Sequence, residues 1–287
     1  MKSTKKILLS IASVSPIIAS AFVVSCGKGE KANDFAKTYV LGNNGIANYN
    51  KDTKTLDLSR ATNLKVIPQA SFSDKALKIL FTHTSTNFSN PQFRLPEGIF
   101  DPTTGAINIE KIILPSSITT IESGAFEGLG LKEVKFDQTS SNLTSIQDNA
   151  FLNNNLTSLE LPESIVNIGN GAFMNNNIKS INLDKLKNFK KLKTAVFANN
   201  ELSTIDLSNI VEIEESALAM NKFKSITLPN NLKHGNVSEK LFFYIQKDAK
   251  NENEKVSLDI KDNLLKDYLK KKLNENKDNN LNYQITN

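Results

Sequence analysis

The chain has 287 residues, of which 39% are hydrophobic and 23% charged, so it can bury a folded core and is not a disordered polymer. Its single cysteine excludes an intramolecular disulfide framework and any zinc site built from several cysteines. Only two histidines, His83 and His234, are present for metal or acid–base chemistry. The net charge of +5 falls to +2 if an N-terminal leader carrying three lysines is removed, which is too weak to favour nucleic acid as a partner.

The first 25 residues have the pattern of a secretory signal peptide. Three lysines within the first six residues precede an apolar run from Ile7 to Val24. Basic residues stay on the cytoplasmic side while an apolar segment enters the translocon. Because several serines and Pro16 interrupt the run, it is marginal for a permanent membrane span.

The run ends in Val23-Val24-Ser25-Cys26-Gly27, which resembles the bacterial lipobox. In that family the cysteine thiol receives a diacylglyceryl group and cleavage occurs just before the cysteine. The resemblance implies lipidation of Cys26, detectable as palmitate incorporation, and anchoring on the extracellular face of the cell membrane. Two acyl chains stabilise such anchoring at about 0.8 kcal/mol per buried CH₂. A transmembrane helix and a soluble export signal with an incidental cysteine are the alternatives.

Residues 26–52 are rich in Gly, Asn and Lys and predict a polar tether that lifts the following domain off the bilayer. Beyond it, two short modules alternate along the chain. The first module has apolar residues at its first, fourth and sixth positions, as in Leu156, Leu159 and Leu161, and it starts at residues 109, 131, 156, 178, 202 and 223. The second is an aliphatic pair followed by Ala-Phe, as in Ile165, Ile168 and Phe173. A period of 21–25 residues is typical of a solenoid.

The spacing within each module predicts its local structure. The last two apolar residues of the first module are two apart, so they point to the same side of a short strand. Successive copies then stack into a parallel sheet over a continuous core. We expect the Ala-Phe pair on a short helical turn, with Phe filling the interior. Residues 137–142 and 184–188, where the period lengthens, are predicted surface loops.

Asparagine recurs two residues before the first module in four consecutive copies, at Asn154, Asn176, Asn200 and Asn221. A side-chain amide there can bond backbone groups where the chain bends. General enrichment in Asn is the alternative explanation. The fixed register favours the structural role.

The combined pattern resembles the BspA-like (Treponema-type) leucine-rich repeat of bacterial surface proteins. The clearest copies are Leu114-Pro115-Ser116-Ser117-Ile118 and Leu161-Pro162-Glu163-Ser164-Ile165. The resemblance covers residues 53–234 and implies an α/β solenoid with one short parallel strand per coil of about 23 residues. It also implies a binding or adhesive role. With the lipobox, it implies a surface lipoprotein of a wall-less, mollicute-type bacterium.

The repeat fails from residue 235, and residues 235–287 are predicted to cap the last coil, which otherwise exposes its core. The apolar segment 238–246 is expected to dock on that end. A helical apolar pattern follows at Ile260, Leu264, Leu265, Tyr268, Leu269 and Leu273. The basic run Lys270-Lys271-Lys272 either contacts anionic lipid or, as interruption by acidic residues favours, lies on a solvated helix face.

Two surfaces are candidates for binding. One is the outward side of the predicted sheet, which is small, polar and of mixed charge and lacks Trp, Tyr and Arg, the usual hot-spot residues. The other is an insertion at 83–93, where the repeat pattern is lost and where Phe88 and Phe93 are the candidate binding residues. The outward sheet positions are Lys111, Ile113, Glu133, Lys135, Ser158, Glu160, Ser180, Asn182, Thr204, Asp206, Ser225 and Thr227.

The sequence shows no phosphate-binding glycine loop, no His-x-x-x-His pair, no calcium loop and no nucleophile elbow. We therefore expect a non-enzyme without cofactor or metal. The leading hypothesis is a lipid-anchored surface protein that binds a host or neighbouring macromolecule, a protein or a glycan. The alternative is a substrate-capturing lipoprotein that feeds a transporter or surface enzyme, which requires a pocket with convergent polar groups. The ligand and the oligomeric state stay open at this point.

Overall fold

The computed structural model describes residues 35–41, 48–86, 95–238, 256–275 and 283–286. The predictions for the leader, for Cys26 and for Phe88 and Phe93 lie outside these residues. The strands are β1 (Asn48–Asn50), β2 (Thr55–Asp57), β3 (Val66–Ile67), β4 (Phe100–Asp101), β5 (Ala106–Ile107), β6 (Lys111–Ile113), β7 (Thr120–Ile121), β8 (Glu133–Lys135), β9 (Ser145–Ile146), β10 (Asn167–Ile168), β11 (Lys191–Leu192), β12 (Glu212–Ile213), β13 (Ser225–Leu228), β14 (Val256–Ile260) and β15 (Tyr283–Thr286). The helices are α1 (Asp74–Thr86) and α2 (Asn263–Glu275), with short helical turns at Lys37–Leu41, Leu183–Lys185 and His234–Asn236.

The first module forms parallel strands in the copies that start at 109, 131 and 223, as its spacing predicts, but the copies at 156 and 178 share only one bridge and the copy at 202 forms no strand. Strands β2, β6 and β8 pair in parallel, with Ile112 opposite both Leu56 and Val134. A single parallel bridge joins Leu159 to Ile181 in the next coils. Strands β13, β14 and β15 form a second parallel block. We call this side of the molecule the first ladder.

The second module forms strands of its own, which the prediction of one strand per coil missed. Strands β3, β7, β9 and β10 form one parallel sheet, and β11 pairs in parallel with β12. The reason is that the backbone groups around each aliphatic pair bond to the coil before. Thr119 N–H donates to the Lys65 carbonyl at 2.7 Å, and Glu122 N–H donates to the Ile67 carbonyl at 2.9 Å. We call this side the second ladder.

The expected helical turn at Ala-Phe is wrong, because the backbone there is a hydrogen-bonded turn that bonds to the next coil. Phe126 N–H donates to the Ala150 carbonyl and Phe151 N–H donates to the Ala172 carbonyl, both at 2.8 Å. Donors used between coils are unavailable for helical bonds. The described residues thus contain two α-helices, and neither recurs from coil to coil.

The phenylalanines of the second module stack into one buried column, as predicted for interior residues. Each ring is 0% exposed, and successive centroids lie 5.4, 5.1, 5.2 and 5.8 Å apart with nearly parallel planes. Such offset aromatic contacts add to the stabilisation from apolar burial. The members are Phe72, Phe126, Phe151, Phe173 and Phe197.

The recurrent asparagines have the structural role that their register predicts. The Asn176 Oδ1 accepts the Leu156 N–H at 3.1 Å. Its Nδ2 donates to the carbonyls of Phe151 at 2.9 Å and Phe173 at 3.1 Å. Asn154, Asn200 and Asn221 make the same set of contacts one or two coils away. Buried backbone groups at the bend are therefore satisfied by one side chain per coil.

Part of the predicted tether is folded onto the first coil. Ala36 and Val40 are 1% and 4% exposed, and the Phe35 ring lies 5.7 Å from Phe72 at the end of the aromatic column. Strand β1 pairs antiparallel with β2. These apolar residues cover the core that the first coil would otherwise expose, so the chain is already packed before residue 52.

The C-terminal segment packs against the other end and extends the first ladder. Strand β14 pairs with β13, and Ile260, which was expected on a helix, is the last residue of β14. Helix α2 buries Leu265 and Leu269, whereas Leu264 is 72% exposed. The segment 239–246, expected to dock on this end, lies outside the described residues.

Candidate interaction surface

The outward positions of the first ladder face solvent in most coils. The exposed members are Glu133, Lys135, Ser158, Glu160, Ser180, Thr204, Asp206, Ser225 and Thr227, whereas Lys111, Ile113 and Asn182 are half-buried. Asn182 is not free to bind a partner, because its Oδ1 accepts the Leu161 N–H at 2.9 Å and its Nδ2 donates to the Leu161 carbonyl at 2.8 Å. This side chain takes the place of a strand pairing.

Charges beside the first ladder are arranged in opposite pairs. Glu110 lies between Lys132 at 2.7 Å and Lys54 at 2.8 Å, and Lys111 pairs with Glu133 at 2.8 Å. Hydrogen bonds from Lys132 and Lys54 hold the pKa of Glu110 below its usual value. Because exposed pairs are screened by water, they contribute about 0–1 kcal/mol each. This part of the surface therefore presents little net charge to a partner.

A second charge cluster lies on the second ladder, where Lys191 bridges Glu212 at 2.7 Å and Glu214 at 2.6 Å. The hydrogen bonds from Glu212 and Glu214 raise the pKa of Lys191. Burial alone would raise the pKa of Glu214, but bonds from Lys191 and Thr194 outweigh it and leave that pKa lowered. Both groups are charged at neutral pH, so neither is poised for proton transfer.

Within the residues that the structure describes, no group of three or more His, Cys, Asp or Glu side chains is placed to hold a metal ion. Burial raises the pKa of the Glu127 carboxyl, which follows Phe126 of the aromatic column. His83 lies in α1 and His234 in a short helical turn, far apart in the chain. The described residues therefore bring together no recognisable catalytic set.

An open cleft of about 580 Å³ lies between the last repeated coils and the C-terminal segment. Its walls come from residues 205–208 of one coil, residues 227–231 of the next, and Lys261 after β14. Sequence reasoning placed Asp206 and Thr227 on the sheet surface but did not bring them together with Lys261. No sequence pattern indicates this cleft, because it depends on the pairing of residues 256–260 with residues 225–228.

The predicted binding loop begins as a helix. Helix α1 reaches Thr86, so its last four residues occupy the first four positions of the 83–93 insertion. The remaining positions, with Phe88 and Phe93, lie outside the described residues, so both stay predicted binding residues.

In the part of the chain that the structure describes, no helix is long and apolar enough to cross a membrane.

Comparison with known families gives a match to the model described as BspA type leucine rich repeat region, in six copies. The matched residues are 104–191 and 144–248, which together span just over half of the chain. No curated protein sequence matches the chain.

Two solved structures are similar to it. The pneumococcal vaccine antigen PcpA is 19% identical with a TM-score of 0.38, over 69% of this chain and 50% of that one. A leucine-rich repeat protein from Bacteroides ovatus is 16% identical with a TM-score of 0.31, over 55% and 51%. The chain thus spans about half the length of both.

Proposed function

Because the chain belongs to the BspA-type leucine-rich repeat family, we propose that it is a lipid-anchored surface protein that binds a host or neighbouring macromolecule without catalysis. The observation that carries the proposal is the surface itself. The stacked coils hold a row of solvent-facing polar and charged side chains along the first ladder. Repeat proteins use such extended surfaces for binding, and the stacked coils would form one continuous solenoid.

The lack of a catalytic set among the described residues is in keeping with this role but does not carry it. The positive support is the architecture. In a distributed surface, no single side chain should dominate, so each substitution should weaken binding by less than about 2 kcal/mol, the usual hot-spot threshold. A catalytic acid or base would instead be worth roughly 10²–10⁴-fold in rate.

Anchoring is proposed to occur through Cys26, the only cysteine in the chain. We expect Cys26→Ser to abolish palmitate incorporation and to leave an uncleaved precursor, because the thiol is the acceptor. Metabolic labelling followed by gel analysis measures both. Ser25→Ala, which keeps a small residue before the cysteine, serves as the control and should still be labelled. Palmitate on the Cys26→Ser protein would overturn the anchor.

Adhesion is proposed to depend on the 83–93 insertion more than on any acidic or histidine side chain. We expect replacement of this segment by a short linker to reduce attachment in a host-cell binding assay, because it carries two phenylalanines on a loop. Alanine substitutions of His83, His234, Glu133 and Glu160 should each leave attachment within a few fold of wild type. A large loss of attachment from one of these substitutions, together with no loss from the loop replacement, would contradict the non-catalytic role and the role of the insertion.

The alternative function, capture of a substrate for a transporter or enzyme, is favoured by one observation, the cleft beside Lys261. Its volume lies in the range of ligand sites, which is about 300–1,000 Å³. The cleft is open rather than enclosed, which suits one stretch of an extended molecule better than a sequestered metabolite. Uptake assays in a strain lacking the protein separate the two functions, since only the capture role predicts a transport defect.

A further inference from the structure

The cleft lies where a recurrent contact between coils is absent. The residue just before the first aliphatic of the second module bonds a carbonyl of the preceding coil in four places. These are Ser117 to Leu64 at 2.7 Å, Asn142 to Ser116 at 3.1 Å, Ser164 to Leu143 at 2.7 Å and Asn209 to Leu183 at 3.2 Å. Asn188 and Asn231 hold the same position before Phe189 and Leu232, yet neither side chain makes such a bond within the described residues.

The first ladder is also interrupted at this place. Ile205 has no strand or bridge partner among the described pairings, whereas β13 pairs with β14 on its other side. The cleft opens between these two coils. The apolar surface that it offers to a ligand comes from Ile205 and Pro229, which are half-buried, since Leu207 and Leu228 are only 2% and 1% exposed.

The rim of the cleft is formed by polar side chains, most of which bond to no other described residue. The side chains of Thr227, Asn230, Asn231 and Lys261 are exposed and, in the part of the chain that the structure describes, make no hydrogen bond or ion pair. Asp206 completes the rim, and its carboxylate accepts the Ser208 N–H at 2.8 Å. Hydrogen bonds from Ser208 lower the pKa of Asp206, so it is ionised at neutral pH.

This combination suits one class of ligand. Amide, hydroxyl, carboxylate and ammonium groups together offer both donors and acceptors, with one negative and one positive charge that balance. Paired hydroxyls on a sugar ring need such mixed partners, while the apolar C–H face of the ring packs on aliphatic side chains. A polyanion would be repelled by Asp206. An extended peptide is bound mainly through main-chain hydrogen bonds, whereas the free polar groups of this rim belong to side chains.

We propose that this cleft is a carbohydrate-binding site, in which Asp206, Asn230, Asn231 and Lys261 bond the hydroxyl groups of a neutral or weakly acidic oligosaccharide. The assignment rests on the proposed surface-binding function and adds to the 83–93 insertion a second binding location, with a ligand class. Without an aromatic platform a single site should bind weakly, with a dissociation constant of about 1 mM, so surface attachment would come from many copies acting together.

The test is a titration of the full chain, labelled with ¹⁵N-asparagine, with four probes: maltotetraose, chitotetraose, sialyllactose and a hyaluronan tetrasaccharide, each to about 10 mM. We expect at least one probe to shift the side-chain amide signals of Asn230 and Asn231 in a saturable way. The Asn230→Ala, Asn231→Ala double variant lacks these two signals and is followed through the signals of Asn209, next to Ser208 of the cleft. It should bind that probe about tenfold more weakly, as loss of two hydrogen bonds predicts.

Asn188→Ala is the matched control, since Asn188 is exposed and holds the position of Asn231 in another coil. It should bind as wild type, and equal melting temperatures for the three proteins would exclude unfolding as the cause. The site is overturned if no probe shifts these signals, if the double variant binds normally, or if an extended peptide shifts them instead.

Host-cell attachment separates this inference from the proposed function. Attachment that persists in the double variant overturns the cleft as the adhesive site and leaves the surface-binding function standing. A wild-type protein that titrates with sugar yet does not attach to cells overturns that function and retains the site.

Discussion

The two sides of each coil differ in regularity. On the aromatic side, the strand module begins five residues after the Phe position in successive coils, and each Phe stacks on the next. On the first ladder, pairing is continuous from β2 to β8, shrinks to a single bridge at Leu159 and Ile181, and resumes only at β13. We therefore expect most of the stability to come from the aromatic side, where the interval between the Phe position and the strand module stays at five residues. The first ladder, where pairing varies between coils, is left free for binding.

The largest effect should come from the aromatic column. Phe151→Ala and Phe173→Ala remove rings that are 0% exposed and stacked at 5.2 Å. Each should lower the free energy of unfolding by about 3–5 kcal/mol, because apolar burial is lost and a cavity remains. Chemical denaturation measures the loss. Val166→Ala, at a side chain 52% exposed on the second ladder, should change it by less than about 0.5 kcal/mol. If either Phe variant lowered the free energy of unfolding by less than about 1 kcal/mol, the aromatic side would not be the main source of stability.

The next largest effect should come from the asparagine contacts that close the same side of the coil. Asn176→Ala leaves the Leu156 N–H and buried carbonyls such as that of Phe151 without partners. An unsatisfied buried group costs about 1–3 kcal/mol, and we expect a loss of that size in the free energy of unfolding. Asn155→Ala removes only an exposed bond of 3.4 Å to Gly130 and provides the control. An equal effect in both variants would show that the buried contacts are not responsible.

The smallest effect should come from charges on the first ladder. Glu110→Gln breaks the pairs with Lys54 and Lys132 and should cost under about 1 kcal/mol at pH 7, less at high salt. Because the folded pKa of Glu110 is lowered, its contribution is present above the unfolded value of 4.5 and is lost as pH falls through the folded value. The difference between wild type and variant should thus shrink as the pH falls below 4.5 and vanish once it is below the folded pKa, as measured by urea titrations. A difference that grows on acidification would contradict the pairing.

Much of the architecture follows from local periodicity. The alternation of Leu159 and Leu161 predicts a strand with one buried side, and the regular Phe positions predict a buried column, because these patterns depend on neighbours along the chain. The structural asparagines were predicted for the same reason, since Asn176, like the others, stands two residues before the first module. The family resemblance is confirmed by the match over residues 104–248.

Tertiary structure decided features that depend on contacts between distant segments. The second ladder exists because backbone groups such as Glu122 N–H find carbonyls one coil away, and the same competition replaces the expected helical turn at Phe151. Ala36 lies in the core only because the first coil has an open end to cover. The cleft depends on Lys261 lying beside Thr227, a pairing of strands that no local pattern encodes. The sequence by itself determined which positions of each module are apolar and therefore buried. Only the stacking of coils determined which backbone and polar side-chain groups lie close enough to bond.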